Sequence, residues 1–376
     1  MKRVLIFSLA YFPHVGGAEI AIKEITDRIP DIEFHILTLR FKGDVAEEKI
    51  GNVTVHRVGN GSSYLSKILF VPRAALAARV LHRTYSYDLI WAMMSYMLFP
   101  IVLGQMLGMV VPYVLTLQEG DPWEHMFTRW FILPFRPLLT RGFHNAAIIT
   151  AISSYLSHWA KRMGYRGDVR VIPNGVDVDH FLGVGVHSHI TEPVTLITTS
   201  RLVKKNAVDD IIRALMFLPA SRLQICGIGP EEASLKELAT SPGLNGRVQF
   251  LGHVEHADLP QLLSRADIFV RPSRSEGMGN SFIEAMVAGM PVIATQEGGI
   301  ADFLFDAKRN PDRETTGWAV DVNSPEQIAD AVVEIVTHPE QVVKTTAAAK
   351  HLAIEHYNWN LIAEKMKEVF EGVHKR

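Results

Sequence analysis

The densest run of chemistry-bearing residues is Arg271-Pro272-Ser273-Arg274-Ser275-Glu276-Gly277-Met278-Gly279-Asn280-Ser281-Phe282-Ile283-Glu284-Ala285-Met286. An apolar strand ends near Val270, a glycine-bearing loop follows, and helical spacing begins at about Asn280 or Ser281. Free backbone N–H groups at such a helix start, reinforced by the macrodipole, bind anions, and the glycines let a diphosphate come close to the chain. Glu276 and Glu284 lie about 80° out of register on an ideal helix. They serve one ligand only if Glu276 stands on the loop and Glu284 in the first turn. Two plainer readings stay open: Ser281-x-x-Glu284 also fits a capping box, and Glu276 fits a solvated loop residue.

Two further segments have matching chemistry. Ser200-Arg201-Leu202-Val203-Lys204-Lys205-Asn206 follows an apolar strand, so its cations emerge at the carboxyl edge of a sheet, where they neutralise a diphosphate without a metal or form a solvated charge run. Pro13-His14-Val15-Gly16-Gly17-Ala18-Glu19 again reads strand, glycine turn, helix, and serves either as a cradle or as a tight connection. Asp177-Val178-Asp179 has a metal-binding look but follows the Asn174-Gly175 turn, where a structural role is favoured and no metal is expected.

The elements that must position these residues alternate between short apolar runs and 3.6-period segments. In the first half the runs are Val4–Ser8, Phe34–Leu39, Val53–Val58, Leu89–Met94, Tyr113–Leu117, Ala147–Ala151 and Val169–Ile172, with helices such as Ala18–Arg28 and Ser154–Met163 between them. Such alternation predicts a doubly wound parallel sheet. Gly183 to Pro193 reads as a linker. A second series follows: Val194–Ser200, Leu223–Cys226, Val248–Leu251, Ile268–Val270 and Pro291–Ala294. The expectation is α/β, with two Rossmann-like domains, 1–186 and 187–358, facing across a cleft, where ligands sit outside the strands' carboxyl ends. The amphipathic closing helix, about 359–376, is a candidate to pack back on the first domain.

Composition narrows the function classes. Lys and Arg number 38 and Asp and Glu 40 in 376 residues, a formal charge of −2, which leaves no global cationic field for nucleic acid. Residues 1–190 carry 19 basic and 15 acidic groups, so the first half is the one to meet anions. The single cysteine, Cys226, forms no internal disulfide and fits a reducing, cytoplasmic compartment. Lys2-Arg3 and the run Val4–Ala10 mimic a signal peptide but lead straight into a glycine turn, and a buried first strand is expected. Leu89 to Gln118 holds no charge yet contains Pro100, Gly104, Gly108 and Pro112, which divide it into strand, helix and strand rather than a membrane span.

The sequence resembles the family 4 retaining glycosyltransferases of the GT-B fold. The resemblance rests on the order of Gly16-Gly17-x-Glu19, Ile172-Pro173-Asn174-Gly175-Val176-Asp177, Ser200-Arg201-Leu202, Gly227-Ile228-Gly229-Pro230, Phe250-Leu251-Gly252-His253-Val254, Pro272-Ser273 through Glu276 to Glu284-Ala285-Met286, Gly289-x-Pro291-Val292-Ile293 and Gly298-Gly299. It implies that Glu284 holds ribose hydroxyls and Glu276 the donor sugar, while Arg201 and a lysine bind the diphosphate. It also implies that the base lies near Gly252, His253 and Val254, and that amides of Gly279, Asn280, Ser281 and of Gly16-Gly17 close over phosphate and sugar. The chain departs from the family at Asn206-Ala207, where a lysine and a glycine are common, so Lys205 is the first choice and Lys204 its rival. It departs again at Gln118, where a histidine is frequent. Gln118 can hydrogen-bond a sugar but carries no proton at neutral pH. Glu119 and Asp121 are acceptor-side candidates that also fit turn and cap roles.

The expected reaction is retaining, metal-independent transfer of a hexosyl group from a UDP- or GDP-sugar to a glycan or lipid-linked acceptor in cell-surface polysaccharide or glycolipid synthesis. No cofactor is expected beyond the nucleotide sugar. A nucleotide-sugar epimerase and a catalytically silent sugar-nucleotide-binding subunit are the rivals. Tyr64 to Arg83 mixes leucines with Lys67, Arg73, Arg79 and Arg83 without an acid, and Trp123 to Leu139 adds an aromatic run between prolines. Both segments fit peripheral contact with an anionic membrane at its inner face, or core packing with solvated ends.

Overall fold

The structure, a computed structural model, describes residues 1–183 and 190–373. Of the expected linker, residues 184–189 lie outside this range, as does the end of the closing segment from His374. The chain forms two compact units, Met1–Asn174 together with the segment from Trp359, and Gly175–Asn358. The first unit thus ends at Asn174 rather than at 186. The short helix that follows, with Phe181 fully buried, packs on elements of the second unit.

The strands are β1 (Lys2–Phe7), β2 (Ile32–Leu39), β3 (Glu47–Ile50), β4 (Val53–Val58), β5 (Leu89–Met93), β6 (Tyr113–Leu117), β7 (Ile148–Ala151) and β8 (Val169–Val171) in the first unit. The second has β9 (Val194–Thr199), β10 (Ser221–Cys226), β11 (Val248–Gly252), β12 (Ile268–Arg271), β13 (Val292–Ala294) and β14 (Trp318–Ala319). The helices are α1 (Gly17–Asp27), α2 (Tyr64–Tyr85), α3 (Leu98–Met106), α4 (Trp123–Phe127), α5 (Arg136–Asn145) and α6 (Ser154–Arg162). They continue with α7 (Val178–Phe181), α8 (Val208–Ala214), α9 (Glu232–Leu238), α10 (Leu259–Leu263), α11 (Asn280–Val287), α12 (Pro325–Thr337), α13 (Pro339–His356) and α14 (Trp359–Gly372).

The first sheet has the order β3-β4-β2-β1-β5-β6-β7-β8 and the second β11-β10-β9-β12-β13-β14. All pairings are parallel except β3 with β4. Helices cover the sheets, so strands such as Leu89–Met93 and Tyr113–Leu117 are buried on both faces and read as continuous apolar runs. The uncharged stretch 89–118 is therefore strand, helix and strand. Among the described residues no helix is long and apolar enough to cross a membrane.

Each sheet reverses its strand order at one place. In the first unit this is between β1 and β5, and in the second between β9 and β12. Loops leaving the carboxyl ends at such a point diverge and open a crevice for ligand. The loops after β1, β9 and β12 are those that carry Gly16-Gly17, Arg201–Lys205 and Glu276.

The closing helix α14 belongs to the first unit. Ile362, Met366, Val369 and Phe370 enter its core, where the Phe370 ring meets Trp91 at 5.1 Å and Phe34 at 5.9 Å. At the other side, Lys2 Nζ donates to the carbonyls of Phe370 and Val373, satisfying the helix end. Phe370→Ala is expected to cost about 3–5 kcal/mol, read as a lower urea midpoint for the whole chain. An unchanged midpoint would mean that the first unit does not depend on its last helix.

Candidate active site

In the second unit the site grows from the end of β12. Arg271 is the last residue of an otherwise apolar strand, and its guanidinium is buried. Nη2 donates to Glu276 Oε2 at 2.5 Å and to Asn206 Oδ1 at 3.1 Å, and Nη1 donates to Ser281 Oγ at 2.8 Å. Asn206 Nδ2 in turn donates to the Arg201 carbonyl at 2.6 Å. One cation thus joins the loop after β9, the loop after β12 and the first turn of α11. The face of the Phe282 ring lies 5.1 Å from the same guanidinium carbon.

Glu276 and the start of α11 border this hub. Glu276 is buried, and its Oε1 accepts the Gly277 amide at 3.0 Å, so it is a fixed loop carboxylate and not a solvated one. Its backbone carbonyl accepts from Gly299 N, and a Cβ on Gly298 would come within 2.0 Å of that carbonyl at a φ of +63°. Only glycine tolerates both constraints. Helix α11 starts at Asn280 after Gly279 in a left-handed conformation, so Ser281 lies inside the helix and the capping box does not form. Glu284 instead meets His256 Nε2 at 3.1 Å, and the His256 ring stacks on His180.

Arg201 is exposed and forms no ion pair among the described residues. A second arginine, Arg274, fastens the loop that bears it. Its backbone N–H donates to the Lys205 carbonyl and its Nη1 to the Lys204 carbonyl, both at 2.7 Å, while its guanidinium pairs with Asp209 and Asp210 on α8. Burial works to raise the Asp209 carboxyl, but Arg274 and Arg213 outweigh it and hold it below its usual range. Gly252 ends β11 at a φ of +69°, with its carbonyl accepting from Gly227 N. His253 beside it is exposed and pairs with Glu255 at 3.2 Å, and Val254 is half-buried.

The first unit holds the other expected residues. Gly16 caps α1, with its amide donating to Glu19 Oε2 at 2.7 Å, and burial holds the Glu19 carboxyl above its usual range. Gln118, at the end of β6, is 9% exposed, yet neither its Oε1 nor its Nε2 finds a partner among the described residues. Its Nε2 lies 3.9 Å from where a Gly17 Cβ would stand. A buried carboxamide left without partners is uncommon, because each unmade hydrogen bond costs free energy.

Glu119 takes the turn role that its sequence context also fitted. It is buried, its Oε1 accepts the Ser95 amide at 2.6 Å, and its Oε2 accepts the Gln118 amide at 2.9 Å. Burial raises its pKa. It clamps its own loop to the loop after β5. Asp121 is half-exposed and lies 3.9 Å from His125.

Sequence reasoning missed Arg271, Arg274, Asn206 and His256 as functional residues. A signal existed for Arg271, an arginine closing the apolar run Ile268-Phe269-Val270, and for Asn206, which stands at one of the family departures. His256 gave none. Among the described residues no cluster of three or more His, Cys, Asp or Glu side chains could hold a metal.

Two parallel-sheet units, one of which presents a helix start, a buried carboxylate and basic side chains at its switch point, are the architecture of GT-B glycosyltransferases. Residues 15–180 match the family described as Glycosyltransferase Family 4, and residues 185–352 match Glycosyl transferases group 1. The chain belongs to the family 4 glycosyltransferases and is a retaining hexosyltransferase. It is 27% identical, over 99% of both chains, to a GDP-mannose-dependent alpha-(1-6)-phosphatidylinositol monomannoside mannosyltransferase of Mycobacterium tuberculosis. Its fold is shared by sucrose-phosphate synthase from Thermosynechococcus elongatus, with a TM-score of 0.83 at 18% identity over 99% of both chains. Anabaena HepE in complex with UDP and glucose has a TM-score of 0.77 at 19% identity, over 99% of this chain and 100% of that one.

Removing one partner from a buried ion pair costs about 3–5 kcal/mol, because the other charge is stranded, whereas replacing both by apolar residues is often near neutral. Arg271→Met is therefore expected to destabilise the chain by about that amount, and Arg271→Met with Glu276→Leu to recover most of the loss without recovering turnover. Chemical denaturation of both variants checks this, and a double variant as unstable as the single one would contradict it.

Proposed function

We propose that the enzyme transfers a mannosyl group from GDP-mannose to a lipid-linked acceptor. The observation that carries this reading is the buried guanidinium of Arg271, which holds Glu276, Ser281 and the Arg201 loop in one arrangement. In it, Glu276 takes the donor sugar hydroxyls and Glu284 the ribose, while the amides at the start of α11 and the Arg201 and Lys205 side chains meet the diphosphate. Gly252, His253 and Val254 border the base. Lys204 lines a separate hollow of about 720 Å³ with Asp209, Arg213 and Glu231, which favours Lys205 for the phosphate. Gly16, Gly17 and Gln118 supply sugar and phosphate contacts from the first unit, which we assign to the acceptor, and the second unit to the donor.

As the bond from the anomeric carbon to the diphosphate oxygen breaks, charge builds on the departing group. Prealigned cations and amides stabilise that charge in place of a metal. The acceptor oxygen bonds to the same carbon, and its proton passes to the leaving diphosphate, since Glu119 is committed to main-chain amides. The choice of GDP-mannose and of a lipid acceptor draws on the activity named for the mycobacterial relative. A water-soluble donor and a lipid acceptor meet at the inner face of the membrane, in the cytoplasm, where we place the enzyme.

The purified full chain, given GDP-mannose or UDP-glucose in EDTA with a phospholipid extract, is expected to release GDP and to do so faster with the extract. Arg201→Ala should lower turnover about 100- to 1000-fold, and an unchanged rate would remove Arg201 from the site. Donor isomerised without nucleotide release would indicate an epimerase, and binding without turnover a silent subunit.

A further inference from the structure

We infer that Arg57, on β4, is a positioning residue for the glycine turn of the first unit. It holds the main chain at Phe12 and, through Asp44, the side chain of His14, and so sets where the Gly16 and Gly17 amides stand. The inference rests on the reading that these two glycines meet the sugar and phosphate, and its test separates the two claims.

The turn needs a hold from outside itself. After β1 the chain stays bonded to β2 as far as Leu9, whose carbonyl accepts from Leu39 N at 3.2 Å. Tyr11 is buried, but residues 13–17 are all exposed. His14 N donates to the Tyr11 carbonyl at 3.1 Å, and the Gly16 amide donates to Glu19 Oε2 at 2.7 Å. Both bonds are local. They shape the turn and leave its position over the sheet to contacts with other segments, without which an exposed stretch of this kind opens easily.

Arg57 supplies that hold. Its side chain is 1% exposed. Nη2 donates to the Phe12 carbonyl at 2.6 Å and Nη1 to the Val45 carbonyl at 3.2 Å. Nη1 also meets Glu48 Oε1 at 2.5 Å, and Nε lies 3.6 Å from Asp44 Oδ2. Asp44 is itself fixed, since Oδ2 accepts from Phe41 N at 2.9 Å and its carbonyl accepts from Arg40 Nε at 3.0 Å. Its other oxygen, Oδ1, meets His14 Nε2 at 3.1 Å, and the His14 ring lies 4.5 Å from that of Phe41. One guanidinium thus reaches the turn twice, at Phe12 directly and at His14 through a shared carboxylate, four and two residues before Gly16.

Charge balance alone does not call for the bond to Phe12. Glu48 and Asp44 already neutralise the cation, and both lie in the segment that leads into and forms β3. The carbonyl of Phe12 belongs to another loop, beyond β2, which separates β4 from β1 in the sheet. A planar guanidinium can serve both loops at once because its donors diverge in a rigid fork, whereas an ammonium is a point charge that follows the carboxylates. Backbone amides act on a departing diphosphate only from the right place, so a residue that fixes the turn acts on turnover without touching the ligand.

Arg57→Lys in the full chain tests this, since it keeps a cation beside Asp44 and Glu48 but forfeits the fork. Hydrogen–deuterium exchange of residues 13–17 should become roughly five- to tenfold faster, as expected for one lost hydrogen bond, with exchange in the second unit unchanged. GDP affinity, which the second unit provides in this reading, should stay as in the wild type. The kcat for GDP release from GDP-mannose with the phospholipid extract should fall about 100-fold, the effect of a misplacement of roughly 1 Å. His14→Ala, at an exposed position, cuts only the second tie and should show the same split to a smaller extent; it decides the matter where the lysine variant does not fold. Wild-type exchange at residues 13–17 in the variants would overturn the proposal. So would an unchanged kcat, or GDP affinity falling in step with kcat, which would mark a general loss of the fold. A wild-type chain that never turns over GDP-mannose would overturn the donor reading alone, and the exchange rates would still decide whether Arg57 holds the turn.

Discussion

A guanidinium removed from water must be repaid by partners of good geometry, and the second unit is organised around that requirement at Arg271. Its two terminal nitrogens reach three side chains from three different segments. The ion pair with Glu276 is the close contact, and the amides of Gly277 and Gly299 complete the satisfaction of the Glu276 side chain and backbone. A buried pair of this kind adds little net stability against an apolar replacement. What it supplies is placement: Glu276 cannot leave without stranding a charge, and Ser281 and Asn206 are held in the same act. A fixed polar arrangement of that sort need not reorganise as charge develops on a ligand, which is where electrostatic catalysis gains most.

The sheet determines why the tie can form. Strands β9 and β12 are hydrogen-bonded neighbours, with Phe269 opposite Ile197. Their following loops therefore leave the same edge a strand spacing apart, close enough for Arg271 to reach Asn206. Arg274 repeats the connection further out, bonding the carbonyls of Lys204 and Lys205 and the carboxylates of α8. Ala207 shows the strain this route imposes. It is buried with a φ of +53°, a left-handed position that glycine accepts freely and that costs an L-residue about 1–2 kcal/mol. The glycine common at this position in similar sequences would relieve that strain, and the neighbouring Asn206 gives the reason a different pair is kept here: its carboxamide bridges Arg271 and the Arg201 carbonyl.

Most of the architecture was legible in the sequence because parallel strands buried on both faces leave an unmistakable trace. The division of residues 89–118 into strand, helix and strand followed from Pro100, Gly104, Gly108 and Pro112. The antiparallel edge strand Glu47–Ile50 left no such trace, being short and charged with one side to solvent. The unit boundary was displaced because α7 follows the Asn174-Gly175 turn with no composition change, and only packing assigns it to the second unit. In the site, loop positions and glycines were readable, since backbone constraints restrict residue type locally. The partner of Glu284 and the tie from Arg271 to Asn206 were not. His256 lies 28 residues from Glu284 and the Asn206–Arg271 contact spans 65, and such pairings exist only once the sheet is assembled.

The end of β6 shows how neighbouring residues of similar polarity are given opposite tasks. Glu119 spends both carboxylate oxygens on main-chain amides and thereby fixes the loop that follows β5 as well as its own. Its hydrogen bonds to the Gln118 backbone and to Ser95 leave the Gln118 side chain rigidly placed but unsatisfied, next to Gly17. A histidine at that place would change charge between pH 5 and 8, whereas a carboxamide keeps its NH2 donors and its carbonyl acceptor throughout. The contact offered to a ligand there is consequently neutral and two-sided, suited to a hydroxyl that both gives and receives a hydrogen bond.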